Sequence, residues 1–212
     1  MKPIIFNTEM VRAILDGRKT MTRRVIKPYP EGAHTIMDYE DGVWSFMCGN
    51  QGEGGAFMDW EECRKEPYQP GDVLWVRETW GMLYGFASGE WEKLFPGKEP
   101  PDASDNVYCY KADYSDASIQ YMKEKGDGWR PSIYMPREAA RIFLRVKDVR
   151  VERLQEISEA DAKREGYPFS YKAGMPIHDF IFLWNSINAK RGYGWDTNPW
   201  VWVVEFERCE RP

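Results

Sequence analysis

Residues 17–24 read Gly-Arg-Lys-Thr-Met-Thr-Arg-Arg and gather four cations and two threonines into eight positions of a chain whose formal net charge is −5. Two outcomes are open to such a stretch. One is a solvated basic turn leading into an ordinary strand. The other is a pocket wall in which Lys19, Thr22 and Arg24 hold an anionic or polar ligand. Glu165 stands out for a different reason: it closes a short helical segment just before Gly166. There it faces the negative pole of the helix dipole, which costs from a few tenths to about 1 kcal/mol. Lys163 or Arg164 can offset that cost locally, and a cation brought from elsewhere in the fold would make the carboxylate useful. Arg77 and Glu78 in "WVRETW" point to opposite strand faces, so one charge turns inward and needs an ion-pair partner or a ligand. Trp75, Trp80, Trp129 and Trp200 have rings that can stack on a base or fill a core.

Several chemistries are excluded by composition. The four cysteines form no CxxC pair and only two histidines are present, so no zinc site or other metal is expected. "GNQGEGG" (49–55) lacks the Lys-Ser/Thr ending of a phosphate loop. The acidic balance argues against a broad basic face that coats nucleic acid, while leaving room for a compact basic pocket. With no long apolar run, neither a signal peptide nor a membrane span is expected, and reduced thiols suit a cytoplasmic protein.

The elements that must position these residues are short. Residues 3–6 read as a strand, and Asn7 caps a helix to about Asp16 with Gly17 at its end. In the strand that follows, Thr20, Thr22 and Arg24 share one face and Met21 and Arg23 the other. Further strands are expected at 43–48, 73–78, in "NVYCYKA", at 141–154 and at 200–207, the last with Trp200, Trp202, Val204 and Phe206 on one side. Prolines make 129–140 an extended, rigid segment. Ser158 caps the short helix that Gly166 ends. A longer helix spans about 176–189, with Ile177, Phe180, Ile181, Trp184 and Ile187 as its apolar stripe. Residues 28–70 read as an irregular Gly-, Pro- and acid-rich region with a loop at 49–55, and 85–105 as another irregular region. Short strands with interspersed helices fit a mixed α+β, mainly β chain of one domain over 1–212, built as a small barrel with flanking helices rather than a doubly wound sheet.

Gly17-x-Lys19-x-x-x-x-Arg24, following a helix of the form Asn-x-Glu-Met-Val-x-Ala-Ile-Leu-x-Gly, resembles the signature of the ASCH domain, a branch of the PUA-like β-barrel superfamily. "GDVLWVRETW", "WRPSIYMPREAARIFLRVKDVRVERLQEISEADAKREG" and "LWNSINAKRG…NPWVWVVEF" resemble its longer phage and prophage-type members, relative to whose small cousins 28–70 and 81–130 are insertions. The resemblance implies a PUA-like barrel and, from the small bacterial enzymes, hydrolysis of the amide of N(4)-acetylcytidine without a cofactor. The GxKxxTxR form carries over Lys19 and Thr22 as two catalytic residues, and the helix 157–165 carries over Glu165 as the third. Arg24, Arg77, Trp75 and Ser132 are the candidate substrate contacts. A threonine attacks only when a base removes its proton, and lysine serves as that base only when burial lowers its pKa. A carboxylate partner pulls that pKa the other way. The partners expected are a modified nucleoside or single-stranded RNA; a non-catalytic module binding RNA or a modified base, or a phage accessory protein contacting host proteins, are the alternative roles.

Overall fold

The computed structural model describes residues 1–51, 57–83, 107–114, 119–120, 128–166 and 175–212. The first elements follow from their end signals. β1 (Lys2–Ile5) leads to α1 (Thr8–Leu15), whose Asn7 cap accepts a hydrogen bond from the Met10 amide at 2.8 Å. Gly17 at φ 73° lets the chain reverse into β2 (Met21–Val25). The three next strands are β3 (Ala33–Glu40), β4 (Val43–Gln51) and β5 (Phe57–Lys65), followed by β6 (Val73–Arg77) and the pair β7 (Trp80–Leu83) and β8 (Val107–Tyr110). Two 3-10 turns, Ser132–Tyr134 and Arg137–Ala139, each follow a proline in the extended segment before β9 (Phe143–Arg153). Helices α2 (Glu159–Arg164) and α3 (Pro176–Asn188) precede the last strand, β10 (Trp200–Cys209).

The strands after Gly17, at 73–77, at 143–153 and at 200–209 all join one sheet, as expected, together with β1. Its order is β1-β6-β9-β10-β2, with β1 parallel to β6 and every other pair antiparallel. The sheet is open: β1 and β2 are its edges, and no closed barrel forms among the described residues. Its edges nonetheless reach each other through a side chain, because Arg24 Nη2 donates to the Ile5 carbonyl at 2.6 Å. β9 shows how alternation survives a defect. Leu144 and Val146 are buried, then Val149 and Val151, and the change of phase falls where Lys147 is skipped in the pairing with β10. A bulge there restores the inward face.

β10 is buried on both faces, beyond the single apolar face expected. Trp200, Trp202, Val204 and Phe206 enter one core, while Val201 and Val203 enter a second with Met21, Phe180 and Trp184. The partner of the first face corrects the irregular region drawn over 28–70: it folds as a three-stranded antiparallel sheet, β3-β4-β5. Residues 49–51 belong to β4, and the rest of the loop expected there, 52–56, lies outside the described residues. Phe46 meets Trp200 edge-on at 5.8 Å, and Trp44 meets Trp202 at 6.3 Å. The second irregular region, 85–105, lies wholly outside the described residues, while β8 confirms the strand in "NVYCYKA".

Charged side chains fasten α2 to β10. Glu205 accepts hydrogen bonds from both Arg164 and Arg150. The bond from Arg164, reinforced by Arg150, holds its carboxyl below the ordinary value of 4.5 despite partial burial. A depressed carboxyl contributes stability that is complete above its unfolded value and is lost as pH falls through the folded one. Glu205→Gln should therefore lower the melting temperature at neutral pH and make its decline below about 4.5 shallower. Identical pH slopes for the two proteins would show that the carboxyl is unlinked to folding.

Candidate active site

The basic stretch does not sit in solvent as a unit. Its turn closes over the C-terminal end of α2, whose last carbonyls have no partner within the helix. Arg18 Nη1 donates to the Gly166 carbonyl at 2.7 Å, Lys19 Nζ to the Glu165 carbonyl at 2.8 Å, and the Thr20 amide to the Arg164 carbonyl at 2.9 Å. Cations at this pole are favoured by the helix dipole. Ser158 fixes the other end of α2 by accepting from the Asp161 amide at 3.1 Å. Gly166 at φ 77° ends it, so Glu165 is delivered beside Lys19 by local geometry.

Lys19 is buried, with a side chain showing no exposure, and its ammonium has three acceptors: Met21 O and Glu165 O at 2.8 Å, and Glu165 Oε2 at 2.7 Å. Desolvation by burial lowers its pKa. The Glu165 carboxylate opposes that shift, and Arg24 and Arg23 add to it. Three donors matched to three acceptors favour the protonated amine, since a neutral amine would leave one acceptor unmet. Glu165 is likewise buried, at 3% exposure. Its second oxygen, Oε1, has no hydrogen-bond partner among the described residues, although Arg23 Nη1 lies 3.5 Å away without bonding geometry.

Both Thr22 and Glu165 line a cavity of about 250 Å³, close to the lower end of small-molecule pockets at roughly 300–1,000 Å³. Its polar side also carries Arg24, and its apolar side comes from α3 through Phe180, Leu183 and Trp184. Thr22 is buried at 2% exposure, and no described residue hydrogen-bonds its hydroxyl. Lys19 stands behind this wall, holding Glu165 from the rear. Arg24 is half-buried, with its guanidinium 5.3 Å from the Phe6 ring centre; burial lowers its pKa, opposed by Tyr68 and Glu165.

Of the residues singled out in the sequence, Lys19, Thr22, Arg24 and Glu165 thus meet in one place. Trp75, Arg77 and Ser132 do not line the cavity. They gather instead around Met135, which is fully buried. The Arg77 guanidinium donates to Met135 O at 3.2 and 3.3 Å and sits 5.1 Å from the Trp75 ring centre, and Ser132 O accepts from the Met135 amide at 3.1 Å. The inward charge of the Arg77–Glu78 pair is Glu78, at 1% exposure, and Arg141 neutralises it through bonds of 2.9 and 3.1 Å. Trp80 and Trp200 are core residues.

Arg23 is the site residue that the sequence missed. Alternation assigns it to the face of Met21, correctly, yet its side chain is wholly buried there. It donates to Glu152 at 2.9 Å and Asp161 at 3.4 Å and approaches Glu165 from the side opposite Lys19. A second arginine after a basic turn gives no signal of this, because both acceptors are supplied from more than a hundred residues away. Lys27, Arg191 and Tyr193 complete the cavity mouth. Comparisons with protein-family models, curated proteins and solved structures return no match for this chain, so what the cavity does has to be argued from its own walls.

Proposed function

We propose that this cavity hydrolyses the amide of an N(4)-acylated cytidine or a related modified pyrimidine nucleoside, within a PUA-like, ASCH-type domain. One observation carries the proposal: in the buried Lys19–Glu165 pair one carboxylate oxygen makes no hydrogen bond among the described residues and faces only the Arg23 guanidinium at 3.5 Å, and Glu165 lines the same cavity as the unbonded Thr22 hydroxyl. A buried acceptor without a donor is costly unless it serves a ligand or reaction. In the proposed sequence, Thr22 Oγ1 attacks the acyl carbonyl carbon while its proton passes to Glu165 Oε1. The bond from that carbon to N4 then breaks, N4 takes the proton from Glu165, and cytidine leaves. Water attacks the acyl-threonine ester, giving one proton through Glu165 to the threonine oxygen and releasing the carboxylic acid. Arg24 has further N–H groups beyond the one bonded to Ile5 and can donate to the oxygen that gains charge. Lys19 is a positioning residue in this scheme, with its ammonium anchoring the second carboxylate oxygen.

The alternative, a non-catalytic module for a modified base in single-stranded RNA, is favoured by Lys27 and Arg191, two exposed cations at the cavity mouth. One assay separates the two. The protein is incubated with a panel of N(4)-acylated cytidines and the products are separated by chromatography. Turnover is expected, and Thr22→Ala and Glu165→Gln should each reduce it by about 10²–10⁴-fold, the range for a lost proton-transfer group or its nucleophile. The double variant should be no slower than either single one, since members of one catalytic unit do not add. Binding without turnover of any member would overturn hydrolysis in favour of the module.

A further inference from the structure

The cavity is lined by four consecutive residues of β2, Thr22 to Val25, although a strand turns alternate side chains to opposite faces. Consecutive lining therefore means that the cavity meets the free edge of the strand, where backbone groups point. Which groups these are follows from the register. Phe206 N donates to Thr20 O and Ile26 N donates to Trp200 O, and both contacts continue the pairing of Thr22 with Val204 and Arg24 with Trp202. Antiparallel ladders alternate bonded and non-bonded pairs. Thr20, Thr22, Arg24 and Ile26 are therefore the bonded set, and the N–H and C=O groups of Met21, Arg23 and Val25 point away from β10. The Met21 carbonyl bears this out, since Lys19 Nζ takes it up at 2.8 Å from the free side.

Arg23 and Val25 have no backbone hydrogen bond of this outward kind among the described residues. Arg23 is 4% exposed, so its outward N–H and C=O need a partner in the cavity. Glu165 lines the same cavity, and its buried Oε1 accepts no hydrogen bond among the described residues, with Arg23 Nη1 3.5 Å away. We infer that the outward N–H and C=O groups of Arg23 and Val25 on the β2 edge, beside Glu165 Oε1, read the hydrogen-bonding edge of a pyrimidine ring. A residue on a free strand edge presents a donor and an acceptor side by side, and a cytosine ring presents its exocyclic amine beside the acceptor N3. Phe180 and Trp184, with ring centres 5.9 Å apart, supply apolar surface across the cavity. Recognition of the ring would then rest on the main chain, the Arg23 guanidinium being paired through Nη2 with Glu152 and Asp161.

This inference rests on the nucleoside reading of the cavity, but it concerns the ring and not the amide, so it is tested with cytidine, which has nothing to cleave. The full chain, labelled with ¹⁵N, is titrated with cytidine, and the Arg23 and Val25 amide resonances are expected to be among those that move most. Val25→Pro deletes one outward N–H at an edge position, where proline is tolerated because no ladder bond is lost. It should bind cytidine roughly tenfold more weakly, the loss of one hydrogen bond. If that variant does not fold, the wild-type amides still decide. Cytidine that binds without moving the Arg23 and Val25 amides, or that does not bind at millimolar concentration, overturns the inference. Cytidine binding at this edge with no hydrolysis of any acylated cytidine overturns the proposed reaction and leaves the inference standing.

Discussion

Lys19→Met is expected to cost about 3–5 kcal/mol of stability, because it removes the hydrogen-bonded partner of a buried carboxylate and leaves it only Arg23 Nη1, 3.5 Å away without bonding geometry. For a chain of this size that corresponds to a fall in melting temperature of roughly 6–20 °C. Three acceptors lose their donor at once: Glu165 Oε2, Glu165 O and Met21 O. Arg18, one residue earlier and of the same charge, provides the contrast. Its side chain is 41% exposed and pairs with Asp16 while capping the Gly166 carbonyl, so Arg18→Met should cost about 1 kcal/mol or less. Lys19→Met with Glu165→Leu should be less destabilised than the sum of the two single variants, with a coupling of about 1–3 kcal/mol. Full recovery is not expected, since the two backbone carbonyls stay unsatisfied at about 1–3 kcal/mol each. Thermal melts of the four variants check this. Costs that are equal for Arg18 and Lys19, or strictly additive for the pair, would mean that the buried ion pair does not hold this region together.

That contrast shows where legibility in the sequence stops. Asn7, Gly17, Ser158 and Gly166 announce the ends of α1 and α2 because capping is a contest among near neighbours, settled within a few residues. The stretch Gly-Arg-Lys-Thr-Met-Thr-Arg-Arg contains four cations that no local rule separates, yet Lys19 and Arg23 are buried, Arg24 is half-buried and Arg18 is exposed. Their fates depend on α2, which arrives some 146 positions later. The misplaced expectations have related causes. Trp75 and Arg77 are an aromatic and a cation on a strand, as Arg24 is a cation on a strand, but alternation tells which face a side chain takes and not where along the sheet a cavity opens, and nothing in the sequence places Ser132 relative to it. The sheet formed by β3, β4 and β5 was hidden because β5, "FMDWEECRK", carries five charges in nine residues. Those charges suit an edge strand, where they discourage pairing with another chain, and they erase the apolar alternation that marks a strand. In β4 the alternating Trp44, Phe46 and Cys48 were visible, but not the Trp200 and Trp202 rings that receive them.

Gly166→Ala should be as damaging as the loss of Lys19, although it adds only a methyl group. Gly166 has φ 77°, a left-handed conformation that costs a residue with a Cβ about 1–2 kcal/mol. A Cβ built there would lie 2.4 Å from Lys19 Cβ, 2.8 Å from Lys19 Cα and 3.0 Å from Ala13 Cβ. None of these is the movable tip of a long side chain. Relief requires the basic turn to back away from the end of α2, and with it go the bonds from Arg18, Lys19 and Thr20 to three successive carbonyls. Overpacking of this kind adds about 1–3 kcal/mol, for a total of roughly 2–5 kcal/mol. Gly17 is the control that separates conformation from collision. It has nearly the same φ, 73°, but no described residue beyond its chain neighbours lies within 4 Å of where its Cβ would stand, so Gly17→Ala should cost only the conformational part, about 1–2 kcal/mol. Because Glu165 is the residue before Gly166, the two variants should also differ in activity. Gly166→Ala should displace the carboxylate from Lys19 and slow the proposed hydrolysis of N(4)-acylated cytidine even at temperatures where it stays folded, whereas Gly17→Ala should leave the pair in contact and any such rate near that of the wild type. Equal melting temperatures for the two variants would show that α2 and the basic turn are not packed as closely as 2.4 Å implies.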